Sequence, residues 1–298
     1  MGTLKELKTD GYERLVAWED PAAGLTAVIA IHSTALGPAL GGCRMWPYTS
    51  FDEAVKDALR LSKAMTYKAA VAGLHLGGGK AVILGDPKQD KTPALLKSLG
   101  QFINALEGRY IGAEDVGLTV KDIEAVRQET QYVTGTSEDL GGSGDPSILT
   151  ALGVFCGIKT CLKERFGEDS IKDRAIAIQG LGKVGGELAW LLHEAGARLI
   201  VADLDSERLD QMTQRFGAEA VPAQKIFEVF CDVFSPCALG GVIHSKSVSR
   251  LKCGIVAGGA NNQLAEDHHG DVLAQREILY APDYVINAGG LISVAYRI

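Results

Sequence analysis

Two lysines and one aspartate stand where their charges could do chemistry, and Lys68 is the first of them. It follows Leu61 and Met65 at helical spacing, so it shares the apolar face of a predicted helix. A lysine is almost never fully buried without a partner. Either its stem carries the ammonium group out to solvent, or the ammonium group meets an anion in a cleft. The spacing alone favours the first arrangement.

Lys80 and Asp115 lie at the boundaries of predicted strands. Lys80 follows three glycines, and glycine lets a backbone approach a ligand closely. A lysine that is partly desolvated beside another cation can act as a base, whereas the simpler interpretation is an exposed lysine at a strand start. Asp115 ends a short apolar run, where a carboxylate can face a cleft and shuttle protons. By itself such an aspartate is more often a turn former.

Turn, cap and glycine signals predict the elements that hold these residues. Ser50 and Glu53 fit a capping box, which begins a helix that runs to about Ala70. The other elements predicted in this half are strands at residues 12–18, 25–32, 80–84 and about 110–113, and a helix that begins at Thr92 and Pro93.

Residues 135–145 are rich in glycine, serine, threonine and aspartate, which predicts a loop and a boundary between domains at 1–135 and 136–298. Pro146 then opens a long helix that ends near Phe166. Beyond it the predicted order is a strand at 174–179, a helix at 183–196 and strands at 198–202, 232–236, 254–257 and 278–280. This alternation predicts an α/β protein whose second domain is a Rossmann-type, doubly wound parallel sheet.

A glycine-rich turn between the first strand and helix of this second half predicts a dinucleotide site. It contains Gly-x-Gly-x-x-Gly in the required strand–turn–helix context. The residues predicted to hold the cofactor here are Gly180, Leu181, Gly182, Lys183, Val184, Gly185 and Gly186. Asp203 ends the next strand, where a carboxylate can bind the adenosine ribose hydroxyls and repel the extra phosphate of NADP. The predicted cofactor is therefore NAD.

Composition excludes several classes of protein. The net charge is −7 and no run of five basic residues occurs, which argues against binding to nucleic acid or to an anionic membrane. The six cysteines form no Cys-x-x-Cys pair and are typical of free thiols in a reducing compartment. With no signal peptide and no spanning segment in the sequence, we expect a cytoplasmic protein. No metal site is predicted.

Longer motifs carry a family resemblance that covers nearly the whole chain. The stretch Leu74–Pro87 resembles the signature of the glutamate/leucine/phenylalanine/valine dehydrogenases. Further stretches resemble the leucine dehydrogenase branch of that family: Leu40–Met45, Ser62–Lys68, Ala113–Gly117, Ala260–Leu264 and Ala281–Gly290. The resemblance favours the chemical interpretation of Lys68, Lys80 and Asp115.

The resemblance implies a two-domain enzyme with its cleft between the domains. Residues 1–135 would form the substrate-binding, catalytic and oligomerisation domain, and residues 136–298 the NAD-binding domain. Lys80 would be the general base that activates water, and Asp115 would move protons on the substrate nitrogen. The residues implied to bind the substrate backbone are Lys68, Gly41, Gly42, Met65 and Asn262. Thr150, Asn261 and Asn287 are implied to help hold the cofactor.

The implied activity is reversible, NAD-dependent oxidative deamination of a branched-chain L-amino acid by a homo-oligomer. Leu40, Ala113, Leu291 and Val294 would line an apolar side-chain pocket. Ala113 resembles the leucine dehydrogenases and favours leucine, isoleucine and valine as substrates, whereas a leucine at position 291 resembles the phenylalanine dehydrogenases. A phenylalanine or tryptophan dehydrogenase, or a catalytically impaired dinucleotide-binding homologue, are the alternatives. Family members usually continue into helices that return to the first domain, and we expect these to be absent here.

Overall fold

The computed structural model describes residues 2–137 and 145–296, which form two compact units. The first contains the described residues up to Pro146 together with those from Leu291 onward, and the second runs from Ser147 to Gly290. Residues 138–144 of the predicted loop lie outside the described residues. The sequence places Leu291 and Val294 in the second domain, whereas their side chains pack in an apolar cluster of the first unit.

The first unit is built on one mixed sheet with the strand order β1-β2-β3-β5-β4-β6. Its strands are β1 (Thr3–Glu6), β2 (Arg14–Asp20), β3 (Leu25–Ser33), β4 (Ala39–Trp46), β5 (Gly77–Leu84) and β6 (Tyr110–Glu114). The strands from β1 to β3 and on to β5 pair antiparallel, whereas β5, β4 and β6 run parallel. The sequence analysis predicted neither β1 nor β4. In β4, the adjacent Gly41 and Gly42 interrupt the strand signal.

Helices cover both faces of this sheet: α1 (Phe51–Val71), α2 (Pro93–Asn104) and α3 (Val120–Arg127). The Ser50 side chain accepts a hydrogen bond from the Glu53 N–H, and the Glu53 carboxylate accepts one from the Thr49 N–H. The Ser50 half of the predicted capping box is therefore present. The Glu53 half differs, because its carboxylate binds the N–H of Thr49 rather than that of the N-cap residue Ser50.

Side chains of the first sheet alternate between its two faces. Ile29 and Ile83 pack with the residues of α2 and α3, whereas Val28 and Val82 pack with Ala54 and Ala58 of α1. We call the second side the α1 face. Because residues two apart on a strand share a face, Lys80 lies on the α1 face with Val82.

The second unit is a parallel sheet with the strand order β12-β11-β10-β7-β8-β9. Its strands are β7 (Ala175–Gln179), β8 (Arg198–Ala202), β9 (Glu219–Ala220), β10 (Phe230–Pro236), β11 (Lys252–Val256) and β12 (Leu279–Tyr280). The chain starts in the middle, winds out through β9, and returns to wind out through β12. This is the doubly wound order of dinucleotide-binding folds, and it confirms the predicted fold class.

The remaining helices are α4 (Ser147–Phe166), α5 (Lys183–Glu194), α6 (Ser206–Phe216), α7 (Ser245–Val248), α8 (His268–Gln275), α9 (Asp283–Ile286) and α10 (Gly289–Ala295). Two apolar clusters, one on each face of the parallel sheet, bury its strands on both sides. Among the helices of the described residues, none is both long and apolar enough to cross a membrane.

Candidate active site

The register of β5, β4 and β6 aligns three residues in one row across the α1 face. β4 is level with β5 at Leu40–Gly78 and with β6 at Gly42–Ala113. The same offset places Gly42 level with Lys80. We call Lys80, Gly42 and Ala113 the central row. Its middle position carries no side chain, so the Lys80 side chain can extend across it.

Lys80 uses this space to form an ion pair with Asp115, which directly follows β6. A Cβ atom at Gly42 would lie 2.6 Å from Asp115 Cβ and 3.1 Å from Lys80 Nζ. Any side chain at position 42 would therefore push the two charged groups apart. The Lys80 and Asp115 side chains are only 6% and 15% exposed, so the pair is shielded from water.

Asp115 is held in its charged form by its neighbours. Burial by itself raises the pKa of a carboxyl group, but the positive charges of Lys80 and Arg44 outweigh this and lower the pKa of Asp115 to about 2. The backbone of Val116 adds a hydrogen bond that acts in the same direction. Asp115 is thus a carboxylate at neutral pH and can accept a proton from a group beside it.

Arg44 is a member of this site that the sequence analysis did not single out. Its Nε lies 3.3 Å from Asp115 Oδ2, and its Nη1 lies 3.0 Å from Asp57 Oδ2. Asp57 also binds the Arg60 guanidinium. One signal could have found Arg44, because it follows Gly42 by two residues and therefore shares its face.

Tyr110 is a second residue that the sequence analysis missed, and it lies beneath the sheet on the opposite face. Its hydroxyl donates to the Gly41 carbonyl at 2.6 Å and accepts from the Ala81 N–H at 3.1 Å. Register pairing between β4 and β5 stops at Leu40 and resumes at Cys43. The Tyr110 hydroxyl therefore bridges the two strands where the Gly41–Gly42 backbone interrupts their pairing.

Lys68 and Met65 lie on α1, which packs against β5. Lys68 is 8% exposed and Met65 is half-buried, so this lysine lies on the inward side of the helix. A Cβ atom at Gly78 would collide with the Thr66 backbone. The glycines before Lys80 thus let α1 approach the sheet closely at the turn of helix that carries Lys68.

Three of the four residues predicted to form a side-chain pocket pack together in the first unit. Leu40 and Val294 belong to one apolar cluster, with Leu291 packed against it. Leu40 and Ile111 are level with each other, one row below the central row. Ala113 is partly buried in the central row itself, next to the Lys80–Asp115 ion pair.

The glycine-rich turn of the second unit has the geometry that a dinucleotide pyrophosphate requires. Gly180 has φ +91°, and a Cβ atom at Gly185 would collide with the Gly180 carbonyl. A Cβ atom at Gly182 would meet nothing nearer than 3.9 Å, so the space before α5 is open. The N-cap residue of α5, Gly182, makes no side-chain cap hydrogen bond, and the start of a helix is a favourable place for a phosphate.

Asp203 is anchored beside this turn. Its Oδ2 accepts the Leu181 N–H at 2.5 Å, and its Oδ1 accepts the Asp205 N–H at 2.9 Å. Arg208 approaches Asp203 with its Nη1 at 4.0 Å and also pairs with Asp205. The carboxylate is therefore fixed at the end of β8, at the edge where the glycine turn begins.

Three asparagines of the second unit offer polar atoms near the carboxyl ends of its strands. The Asn287 amide donates to the Gly259 carbonyl at 3.1 Å and to Asn261 Oδ1 at 2.9 Å, while its own Oδ1 is buried without a hydrogen-bond partner. Asn262 Nδ2 is also buried without a partner, and its backbone has φ +49°. Such atoms fit a ligand that carries an amide or carboxylate group. Thr150, which was predicted to join them, lies in the first turn of α4.

Comparison with known proteins identifies the family. Residues 13–134 match the profile described as Glu/Leu/Phe/Val dehydrogenase, dimerisation domain, and residues 141–208 and 203–296 match Glutamate/Leucine/Phenylalanine/Valine dehydrogenase. The chain belongs to the Glu/Leu/Phe/Val dehydrogenase family. It is therefore an amino-acid dehydrogenase that uses a nicotinamide dinucleotide, as the sequence motifs predicted.

Individual members of the Glu/Leu/Phe/Val dehydrogenase family are similar over most of their length. A leucine dehydrogenase of Thermoactinomyces intermedius is 56% identical over 95% of this chain and 78% of its own length. A phenylalanine dehydrogenase of the same organism is 48% identical over 96% of this chain and 78% of its own. The crystal structure of L-tryptophan dehydrogenase from Nostoc punctiforme superposes with a TM-score of 0.77 and 44% identity, covering 95% of this chain and 81% of that one.

Proposed function

We propose that this dehydrogenase oxidatively deaminates leucine, isoleucine and valine with NAD as the oxidant. An L-amino acid, NAD⁺ and water yield the 2-keto acid, ammonium, NADH and a proton, and the reaction is reversible. The observation that carries this proposal is the Lys80–Asp115 pair, which is buried across the bare Gly42 position. Relatives named leucine dehydrogenase, at 50 to 56% identity over nearly the whole chain, support the substrate class.

Lys80 and Asp115 divide the proton transfers between them. The nicotinamide ring, when bound, accepts a hydride from the substrate α-carbon. Lys80 then acts as the general base that takes a proton from the water that attacks the substrate iminium carbon. Asp115, which is a carboxylate in the resting enzyme at neutral pH, takes a proton from the substrate nitrogen and returns it. The carbinolamine collapses to keto acid, and the nitrogen leaves as ammonia.

Lys68 and the Gly41–Gly42 backbone hold the substrate carboxylate in this proposal, with Met65 beside them. Lys68 is already buried on the inward side of α1, so it loses little further hydration when it meets an anion. The register pairing of β4 with β5 is interrupted at Gly41 and Gly42, and the proposal assigns the substrate carboxylate to backbone N–H groups of this stretch. Asn262, whose side-chain Nδ2 is buried without a hydrogen-bond partner, is the further residue proposed to contact the substrate.

The side-chain pocket favours aliphatic substrates. Its walls at Leu40, Ala113, Leu291 and Val294 are apolar, so a charged substrate side chain would be desolvated without compensation. The methyl group of Ala113 stands in the central row and narrows the space for an aromatic ring. Phenylalanine or tryptophan is the second candidate substrate. A leucine at position 291 resembles the phenylalanine dehydrogenases, and Leu291 packs at the margin of the apolar cluster that contains Leu40 and Val294.

NAD is preferred over NADP because of Asp203. Its carboxylate is anchored by two backbone N–H groups and faces the site at which NADP carries an additional phosphate. The partial pairing of Arg208 with Asp203 and Asp205 leaves little free positive charge for that phosphate. A cytoplasmic location stays a prediction of the cysteine usage.

One experiment tests the proposed function. NADH production by the purified chain is measured on a panel of L-amino acids, and we expect kcat/KM for leucine, isoleucine and valine to exceed that for phenylalanine and tryptophan. Aspartate, glutamate, lysine and arginine should be poor substrates. A higher kcat/KM for phenylalanine than for leucine would favour the second candidate. No turnover of any amino acid by folded protein would favour a catalytically impaired homologue.

A further inference from the structure

Asp115 shares a single carboxylate oxygen between two cations. Its Oδ2 is the acceptor both for Lys80 Nζ and for Arg44 Nε. Arg44 is itself shared, because its Nη1 binds Asp57 at 3.0 Å. The four groups form a chain of alternating charge that runs from β5 through β6 and β4 to α1. We call Lys80, Asp115, Arg44 and Asp57 the charge chain.

The order of the charge chain has an electrostatic consequence. If Asp115 faced Lys80 alone, its full negative charge would stabilise the ammonium form and oppose the loss of a proton that a base requires. Arg44 offsets part of that charge at the same oxygen. Asp57 in turn offsets part of the charge of Arg44. Because all four side chains are largely buried, water and salt screen these effects only weakly.

We propose that Arg44 is a positioning residue that favours the unprotonated, basic form of Lys80, and that Asp57 weakens this effect of Arg44. Arg44 holds the Asp115 carboxylate in place and withdraws part of its charge from Lys80. Asp57 is fixed on α1 by the Tyr48 hydroxyl and by the Arg60 guanidinium at 2.8 Å, so it is a rigid counter-charge. This inference rests on the proposed function, in which Lys80 is the base.

Other titratable groups near Asp115 do not carry the effect. Burial raises the pKa of the Cys43 thiol to about 11 and that of the Tyr110 hydroxyl well above its usual value, so both stay neutral. Lys68 on α1 is left unsubstituted in every variant below. Arg44 and Asp57 are therefore charges that substitution can remove while the Lys80 and Asp115 side chains themselves are retained.

Substitutions of Arg44 and of Asp57 should move the pH profile of kcat/KM in opposite directions. If Lys80 is the base, kcat/KM for leucine at saturating NAD should rise with pH. Arg44→Gln removes a positive charge, so the rise should move up by about one pH unit. Asp57→Asn removes a negative charge, so the rise should move down by about half a pH unit. Arg44→Lys keeps the charge and should keep the midpoint, with a lower kcat because Nε is lost.

The matched control is Arg14→Gln, which removes an arginine charge from β2, where Arg14 pairs with Glu6 at the surface. Thermal unfolding of each variant shows whether it folds. Opposite shifts of the midpoint for Arg44→Gln and Asp57→Asn support the proposal, since purely structural damage would lower kcat without such a pattern. If Arg44→Gln fails to fold, a downward shift in Asp57→Asn with an unchanged midpoint in Arg44→Lys supports it equally.

Midpoints that shift in the same direction in Arg44→Gln and Asp57→Asn, or that stay unchanged in both of these variants when folded, overturn the role of Arg44. Two further measurements separate that failure from a failure of the proposed function. If the wild-type chain turns over no amino acid, or if Lys80→Ala retains its kcat, the proposed base is wrong and the inference falls with it. If both of these controls behave as expected and the profiles do not move, the role of Arg44 alone is wrong.

Discussion

Lys80 reaches Asp115 across a position that has no side chain. The central row aligns Lys80 of β5, Gly42 of β4 and Ala113 of β6, and Asp115 follows directly after β6. The two residues proposed as general base and proton relay, Lys80 and Asp115, then lie in direct contact on the α1 face, shielded from water. At the scale of single residues, the chemistry depends as much on the missing side chain at position 42 as on the charged ones.

Gly42→Ala should therefore impair catalysis without removing any catalytic group. Its Cβ atom would lie 2.6 Å from Asp115 Cβ, so one of the two must move. We expect kcat to fall by about 10²-fold, because the relay is displaced from the base. Gly270→Ala is the control, since a Cβ atom there meets only Leu264 Cδ1 at 3.4 Å. Equal kcat values for the two variants would contradict this account of the central row.

Lys80→Ala should lose far more turnover than binding. Removal of a general base typically costs about 10²–10⁴-fold in rate. Lys68→Ala should instead raise the KM for the amino acid strongly, and it should also lower turnover. Lys97→Ala provides the control, because this lysine is 63% exposed and pairs with Glu129 at the surface. Near-normal kcat in folded Lys80→Ala protein would refute the assignment of the base.

Cofactor choice is also a single-residue question. We expect kcat/KM with NAD to exceed that with NADP, and Asp203→Ser to narrow the ratio because it removes the charge that repels the additional phosphate. Asp271→Asn, on the distant helix α8, should leave the ratio unchanged. Equal values for the two cofactors in the wild-type chain would show that Asp203 does not select between them.

At the scale of elements, Tyr110 bridges the strands β4 and β5 at the point where their register pairing is interrupted. Tyr110 enters from beneath, against Gly79, where a Cβ atom would lie 2.6 Å from its ring. Its hydroxyl joins the Gly41 carbonyl to the Ala81 N–H, which is the neighbour of Lys80. Gly79 of β5 and Tyr110 of β6 thus fit each other, and Tyr110 braces the Gly41–Gly42 backbone that we propose binds the substrate carboxylate.

Tyr110→Phe should weaken both the fold and the site. The two backbone groups would lose a buried partner, which costs about 1–3 kcal/mol. Urea unfolding should show this loss, and the KM for the amino acid should rise more than kcat falls, because the Gly41–Gly42 backbone loses its brace. Tyr296→Phe is the comparison, since Tyr296 is 84% exposed. Unchanged stability in Tyr110→Phe would mean that β4 and β5 need no bridge.

At the scale of the whole molecule, the predicted catalytic residues and the predicted cofactor-binding turn lie in different units. The first carries the acid–base pair and the apolar cluster, and the second carries the glycine turn, Asp203 and the asparagines. The first unit also matches the dimerisation domain of the family. We infer that copies of the chain associate through it.

Association should be visible in solution. Light scattering at micromolar concentration should give a mass of at least twice the 31.6 kDa of one chain. Dilution should reveal whether kcat depends on the assembled form. A monomer at micromolar concentration would contradict the expected homo-oligomer.

The sequence by itself determined the features whose signals are local. The cap at Ser50, the glycine turn at Gly180 and the alternation of strands and helices in the second half each depend on residues a few positions apart. Local signals of this kind reflect backbone hydrogen bonding and side-chain period, so they survive without knowledge of the partners. Family motifs then singled out Lys68, Lys80 and Asp115, which spacing alone had left ambiguous.

Only the tertiary structure decided how these residues meet. β4 escaped prediction because Gly41 and Gly42 weaken its strand signal, yet this strand lies between β5 and β6 and sets the row that joins Lys80 to Asp115. Arg44 and Tyr110 act on partners that are dozens of residues away, at Asp115 and at Ala81. Strand order and register fix such contacts, and these follow from the packing of a whole sheet between its helices rather than from any short stretch of sequence.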